Sequence, residues 1–231
     1  MSRSAALRLA INATHAAVPI DNPPGDLRRD LRLIADMIEP GARVLDIGCG
    51  DGALLAYLAR EKSVDARGME LSQSGVNSCV RHGLSVIQGD ADRDLDAFPV
   101  GAFDVAVLSQ TLQATREPRH VLEALIRIGK RAIVSFPNFG FWRIRLSLLR
   151  RGRMPVSELL NNSWYDTPNI HLCTIRDFVV MCDEIGVRIE RSLTLDRHGR
   201  PFALNPRGGL ANLLAEQAVF VLSGKAREAQ T

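Results

Sequence analysis

The residues best suited to chemistry follow a strand-like run near residue 45. The segment Val44-Leu45-Asp46-Ile47-Gly48-Cys49-Gly50-Asp51-Gly52 places an acid and three glycines at alternate positions, directly ahead of a helical run from Ala53. Glycine lets a backbone approach a ligand closely and adopt positive φ. The free N–H groups of the helix start attract polar or anionic groups. The pattern therefore predicts the nucleotide-binding corner of a Rossmann-like sheet.

Two classes of cofactor are compatible with this corner. Gly48-x-Gly50-x-x-Ala53 satisfies the dinucleotide fingerprint G-x-G-x-x-G/A, which indicates a nicotinamide-dependent enzyme. Asp46 argues against that class, because its carboxylate would repel a pyrophosphate. It suits a cationic ligand, such as the ammonium and sulfonium groups of S-adenosylmethionine. The segment resembles motif I of class I methyltransferases, in which the acid and the glycines hold the methionine end of the cofactor.

Acids at the ends of later strands extend the candidate site. Glu70 lies about 20 residues beyond the glycines, where both cofactor classes expect an acid for the ribose. Asp90 follows the third predicted strand, where the methyltransferase pattern expects a contact to the adenine amino group, although a lone acid there is also a common turn residue or helix cap. Their order favours S-adenosylmethionine over a nicotinamide. The predicted cofactor-binding residues are Asp46, Gly48, Cys49, Gly50, Glu70, Leu71, Asp90, Ala91 and Ser109.

The elements that must position these residues alternate along the chain. Predicted strands and helices follow one another from Val44 to Phe136, and two more strands follow before the C-terminus. This predicts an α/β fold: a Rossmann-like, seven-stranded, mostly parallel sheet of the class I methyltransferase type, with helices on both faces. We expect a poorly ordered N-terminal extension (1–25), a methyltransferase-like domain (26–223) with a cap insertion at about 139–174, and a C-terminal tail (224–231).

Composition narrows the class of protein. The chain has 231 residues, 46% of them hydrophobic, which is typical of one soluble domain, and no apolar run long enough to cross a bilayer. A net charge of +3 does not indicate nucleic-acid binding. The four cysteines are irregularly spaced, so neither a zinc site nor a disulfide framework is predicted. We expect a cytoplasmic protein with reduced thiols and no metal.

The predicted cap combines arginines with apolar residues. Five arginines between Arg143 and Arg153 alternate with aromatic and aliphatic side chains at helical spacing. Such a helix docks on a partner, an acidic substrate or a membrane surface, or it packs on its own domain with extended arginines. His171, ahead of a predicted helix, is either a general base or a structural hydrogen-bond donor.

Five segments together resemble the MetW family of methionine-biosynthesis proteins, and the likeness covers Asp26 to about Arg200. The segments are Leu45–Gly52, Leu108–Ala114, Phe136–Arg143, Arg151–Val156 and Trp164–Thr174. The resemblance implies a partner of homoserine O-acyltransferase, in a hetero-complex, with a pocket for S-adenosylmethionine or S-adenosylhomocysteine. It assigns no catalytic residue and leaves open whether the protein is an enzyme. The alternative is an S-adenosylmethionine-dependent methyltransferase acting on a small molecule.

Overall fold

A twisted sheet of eight strands forms the centre of the molecule. The computed structural model describes residues 27–155 and 163–224. The strands are β1 (Arg43–Ile47), β2 (Asp65–Glu70), β3 (Ser85–Gln88), β4 (Phe103–Ser109), β5 (Gly129–Pro137), β6 (Arg188–Leu195), β7 (Pro201–Phe202) and β8 (Gln217–Ser223). They lie in the order β3-β2-β1-β4-β5-β8-β6-β7.

The predicted mostly parallel sheet is confirmed. Strands β1 to β5 pair in parallel, while β8 lies between β5 and β6 and is antiparallel to both. Seven strands match the predicted number. The eighth, β7, has two residues and pairs with the end of β6 as a short hairpin. Strand β5 begins at Gly129, which pairs with Phe103 of β4.

Helices cover both faces of the sheet, as predicted. They are α1 (Arg29–Asp36), α2 (Ala53–Lys62), α3 (Gln73–Arg81), α4 (Ala91–Asp94), α5 (Pro118–Ile128), α6 (Trp142–Arg151), α7 (Ile175–Glu184) and α8 (Gly209–Leu214), with 3-10 turns at Leu95–Ala97 and Leu112–Ala114. One apolar cluster joins α5 and α7 to the sheet and includes Leu45 and Ile47 of β1. A second cluster joins α1 and α2 to the opposite face and includes Val44. The two-residue period of the strands produces this division.

Local capping explains where several helices begin. The hydroxyl of Ser72 accepts a hydrogen bond from the backbone N–H of Gly75 at the start of α3. Thr174 and Asp177 form a reciprocal capping box at the start of α7. These caps set the residues at which α3 and α7 begin. Helix α1 ends at Asp36, ahead of the turn that contains Pro40.

The strand order creates a crevice at the carboxyl ends of β1 and β4. Strand β1 lies between β2 and β4, so the connections that leave the two central strands diverge to opposite sides. Ligands of open α/β sheets bind at such a switch point. The predicted cap contains α6 and returns to the body at Thr174.

Parts of the predicted domain scheme lie outside the described residues. These are the N-terminal extension, residues 156–162 of the cap and residues 225–231 of the tail. Within the described ranges, no helix is long and apolar enough to span a bilayer.

Candidate functional site

The loop after β1 turns sharply around its glycines. The backbone N–H groups of Gly48 and Cys49 both donate to the carbonyl of Met69 at the end of β2, at 2.7 and 3.2 Å. Gly48 has φ +73°, and a Cβ there would lie 2.5 Å from Oγ1 of Thr111. Gly50 has φ +59°, and a Cβ there would meet no atom within 4 Å. Gly48 therefore permits close packing against the end of β4, whereas Gly50 borders open space where a ligand can approach the backbone.

Asp46 is a buried carboxylate at the floor of this loop. Its relative exposure is 3%, and no hydrogen bond reaches its carboxylate from the described part of the chain. Burial and the nearby charge of Glu70 raise the pKa of Asp46 from 3.8 to about 7, while Arg28 partly opposes the shift. An acid with a strongly raised pKa in a cleft is typical of functional sites. A cationic group placed beside Asp46 would remove the cost of its ionisation.

Glu70 joins β2 to the glycine loop. Its carboxylate accepts hydrogen bonds from the backbone N–H groups of Gly50 and Ser72, at 2.9 and 2.8 Å. A carboxylate has about four lone-pair sites. Glu70 can therefore hold the glycine loop and still accept hydroxyl donors from a ligand. Leu71, another predicted cofactor-binding residue, follows it with 65% of its surface exposed.

Asp90 caps a helix in this structure. Its side chain accepts the N–H of Asp92 at 3.0 Å and lies 3.8 Å from the Arg93 guanidinium, so α4, which begins at Ala91, starts at this carboxylate. Asp90 therefore has the helix-capping role that is common for an acid at a strand end. A contact from Asp90 or Ala91 to an adenine stays a prediction.

Ser109 ends β4 and points its hydroxyl at the next strand. Its Oγ lies 3.0 Å from Oγ of Ser135, and its carbonyl accepts the hydroxyl of Thr111 at 2.9 Å. Gln110 has φ +51°, an uncommon conformation for a residue with a side chain. The turn after β4 is thus held tightly against both the glycine loop and β5.

Cys49 and Cys79 form a buried thiol pair behind the glycine loop. Their sulfur atoms are 3.9 Å apart, and Cys79 donates to the carbonyl of Gly50 at 3.5 Å. A Cβ on Gly68 would lie 2.6 Å from the Cys49 sulfur, so the absence of a side chain at position 68 makes room for this thiol. The hydrogen bond with Cys79, together with burial, raises the pKa of Cys49, which keeps this thiol protonated.

His171 contacts backbone rather than an acid or a nucleophile. Its Nε2 lies 3.3 Å from the carbonyl of Arg116, and its own N–H donates to the carbonyl of Gln113. The structural reading of this histidine therefore describes its contacts better than the general-base reading. Within the described ranges, no group of His, Cys, Asp or Glu is arranged to hold a metal ion.

Two residues that sequence reasoning did not select organise the site's surroundings. Asn138, after β5, donates to the carbonyls of Asn212 and Ala215 and accepts from the N–H groups of Gly140 and Ile175. Gln113 is buried and carries the carbonyl on which His171 depends. Both lie within the segments that carry the family resemblance, which is the signal that could have identified them.

The fold defined here is that of S-adenosylmethionine-dependent methyltransferases. A TehB-like methyltransferase of Corynebacterium glutamicum superposes with a TM-score of 0.56, covering 87% of this chain and 90% of that one at 21% identity. At such identity the likeness shows the fold alone.

The chain belongs to the MetW family. The family "Methionine biosynthesis protein MetW" matches residues 28–222. A "Bifunctional methionine biosynthesis protein MetXA/MetW" of Rhodopirellula baltica is 32% identical over 198 residues, which are 82% of this chain and 31% of that protein. A fatty-acid O-methyltransferase of Mycolicibacterium smegmatis is 42% identical over 72 residues, 29% of this chain and 26% of that protein. The chain thus spans less than a third of each of these two relatives.

Proposed function

We propose that this protein binds S-adenosylmethionine or S-adenosylhomocysteine and acts as the ligand-responsive partner of homoserine O-acyltransferase in methionine biosynthesis. The observation that carries the proposal is the Rhodopirellula baltica relative, whose name joins a MetXA part and a MetW part in one chain. Two functions carried by one chain in one organism are expected to act together in another. The proposal places the protein beside biosynthetic enzymes of the cytoplasm.

The chemistry of the crevice supports this class of ligand. Asp46 offers a buried carboxylate without a hydrogen-bond partner, and Glu70 has accepting capacity left after its two backbone bonds. A sulfonium or ammonium group would meet the first, and ribose hydroxyls would meet the second. When bound, S-adenosylmethionine supplies an activated methyl group. The chain's own residues bind and orient the ligand.

The cap offers a surface suited to a protein partner, which we call the cap surface: α6, Trp164 and Tyr165. Trp164 and Tyr165 are about three-quarters exposed and pack edge to face, with ring centres 5.7 Å apart. Leu149 of α6 is 84% exposed. A cavity of about 670 Å³ lies between these aromatic side chains and the end of α6. Exposed aromatic and arginine side chains are enriched at binding hot spots.

Charge reversal in the cap surface tests the contact. Arg150 and Arg151 end α6 and are exposed, so Arg150→Glu with Arg151→Glu should slow association with purified homoserine O-acyltransferase and reduce its dependence on salt. Trp164→Ala should speed dissociation. The matched control is Arg188→Glu, an exposed arginine at the start of β6, the opposite edge of the sheet from the crevice. Association unaffected by all three cap changes would remove the cap surface from the interface.

Acyltransferase activity tests the role itself. We expect a different rate with and without this protein, and a further change when S-adenosylmethionine or S-adenosylhomocysteine is added. Calorimetry of each ligand with this protein alone separates binding from the partner effect. No complex and no effect on the acyltransferase would refute the partnership while leaving ligand binding to be judged by its own measurement.

A second candidate is methyl transfer to a small apolar molecule. It is favoured by the 42% identity over 72 residues to the fatty-acid O-methyltransferase. In this reading the cap closes over the substrate and excludes water. Proximity alone can supply much of the catalysis, so an assigned base is not required. Formation of S-adenosylhomocysteine from S-adenosylmethionine, in the presence of a panel of carboxylic acids and phenols, would establish it.

A further inference from the structure

One buried hydrogen-bond acceptor is left without a donor at the end of β4. Gln113 is 6% exposed, and its Nε2 donates to the carbonyl of Gln110 at 2.7 Å. Its Oε1 has no partner, and among the described residues it is the one side-chain nitrogen or oxygen that is both fully enclosed from solvent and without a hydrogen bond. A buried acceptor of this kind costs about 1–3 kcal/mol unless a donor reaches it. Such an atom is expected to meet a donor in some state of the protein.

The backbone of the same residue anchors the returning end of the cap. The carbonyl of Gln113 accepts the N–H groups of both Ile170 and His171, at 2.8 and 2.9 Å. Nε2 of the His171 ring lies 3.3 Å from the carbonyl oxygen of Arg116. The residues that follow Trp164 and Tyr165 are therefore attached to the body of the protein at Gln113.

The turn that contains Gln113 also touches the glycine loop. We call residues 110–113 the β4 turn. Thr111 in this turn packs against Gly48, so closely that a methyl group at Gly48 could not fit. Gln110 holds the turn with a positive φ, and its Nε2 donates to Asp30 at 3.0 Å. The β4 turn thus contacts the predicted ligand loop on one side and the cap on the other.

We infer that Gln113 couples the ligand to the cap: its Oε1 accepts a hydrogen bond from an N–H or O–H group of the ligand in the crevice, and its carbonyl holds the cap. The inference rests on the proposed function, because it needs a bound ligand. A ligand that restricts the motion of Gln113 also restricts Ile170 and His171, the two cap residues whose N–H groups donate to its carbonyl. By linkage, a partner that binds the cap changes the affinity for the ligand by the same factor that the ligand changes the affinity for the partner.

The coupling predicts protection of two named amides. In the wild-type protein, saturation with S-adenosylhomocysteine should slow hydrogen exchange of the Ile170 and His171 amides several-fold, which NMR measures residue by residue. Ligand binding without any change at these amides would refute the coupling and leave the proposed ligand site intact. Failure of the wild-type protein to bind either S-adenosylmethionine or S-adenosylhomocysteine in calorimetry would refute the proposed ligand, and the coupling with it.

Substitutions separate coupling from simple structural support. Gln113→Met keeps the length of the side chain but removes both the Oε1 acceptor and the Nε2 donor to Gln110. The affinity for S-adenosylhomocysteine should fall about tenfold, the effect of one hydrogen bond lost to the ligand, and the ligand-induced protection should disappear. Gln113→Glu loses the same Nε2 donor but retains an acceptor, so protection that returns at least in part in this variant assigns the effect to the acceptor. The matched control is Thr115→Val. It removes a buried 2.7 Å hydrogen bond from the Thr115 hydroxyl to the carbonyl of Leu112 and leaves Oε1 of Gln113 in place. It should lower stability without changing ligand affinity or protection. Full affinity and protection in Gln113→Met would show that Oε1 merely holds a buried water.

Discussion

Replacement of Asp46 by asparagine should stabilise the ligand-free protein and weaken ligand binding at the same time. The substitution keeps the shape of the side chain and removes a charge that burial disfavours. A residue whose removal improves stability and impairs binding serves the site rather than the fold. Among the described residues, Asp46 is the one whose replacement we expect to combine the largest gain in stability with a loss of ligand binding.

The size of the effect follows from the raised pKa of Asp46. The rise from 3.8 to about 7, at about 1.4 kcal/mol for each pH unit, corresponds to roughly 4 kcal/mol. Because the pKa in the folded protein lies above that in the unfolded chain, the folded state holds the proton more tightly. The contribution of Asp46 to stability is therefore complete below pH 3.8, is lost as the pH rises, and levels off above about 7.

Urea unfolding at a series of pH values measures this directly. Between pH 5 and pH 8, the gain in unfolding free energy of Asp46→Asn over the wild type should grow by about 2 to 3 kcal/mol. Calorimetry of the same variant should show affinity for S-adenosylmethionine reduced at least about tenfold, or ~1.4 kcal/mol.

Asp104→Asn is the matched control because its electrostatics have the opposite sign. Hydrogen bonds from Lys130 and from the backbone N–H of Arg43 hold the pKa of Asp104 well below its usual range. Its ionised form therefore stabilises the fold throughout pH 5–8, and the loss in the variant should be constant over that range. A stability difference for Asp46→Asn that is equally flat from pH 5 to pH 8 would show that Asp46 ionises normally, and the argument from its burial would be wrong.

Two further substitutions test the site and the base of the cap. Glu70→Ala should weaken binding of S-adenosylmethionine by roughly 1–3 kcal/mol through lost ribose hydrogen bonds, while Glu123→Ala, an exposed acid on α5, should leave it unchanged in calorimetry. Asn138→Ala removes four hydrogen bonds from a side chain that is 1% exposed, so urea unfolding should show a loss of about 3 kcal/mol or more. An unchanged midpoint would mean that water replaces those bonds.

Patterns that span only a few consecutive residues predicted most of the fold. The run Val44-Leu45-Asp46-Ile47 and the glycines after it were sufficient to place Asp46 at a strand end, because a buried strand and the turn that stops it are both local in sequence. The small β7 hairpin was missed because two residues carry no period.

Contacts between distant residues could not be predicted in the same way. Nothing local in the sequence indicates that Glu70 accepts the N–H of Gly50. The hydrogen bonds that the backbone carbonyl of Gln113 accepts depend on where Ile170 and His171, far later in the chain, return to the body. Such features follow from the packing of whole elements, which neither spacing nor composition encodes.

Three of the segments that carry the family resemblance, Leu108–Ala114, Phe136–Arg143 and Trp164–Thr174, meet at one place in the structure. Phe139 donates to the carbonyl of Cys173, Asn138 accepts the N–H of Ile175, and Gln113 accepts the N–H groups of Ile170 and His171. The glycine loop, which many methyltransferases share, contacts this cluster through Thr111. In a simple enzyme, residues at this position would be expected to face an acceptor substrate. Here they bind one another and join the predicted ligand loop to an exposed aromatic and basic surface. That arrangement is what a protein needs if it is to pass the state of its pocket to a partner, and it is why we favour the regulatory partner over the methyltransferase.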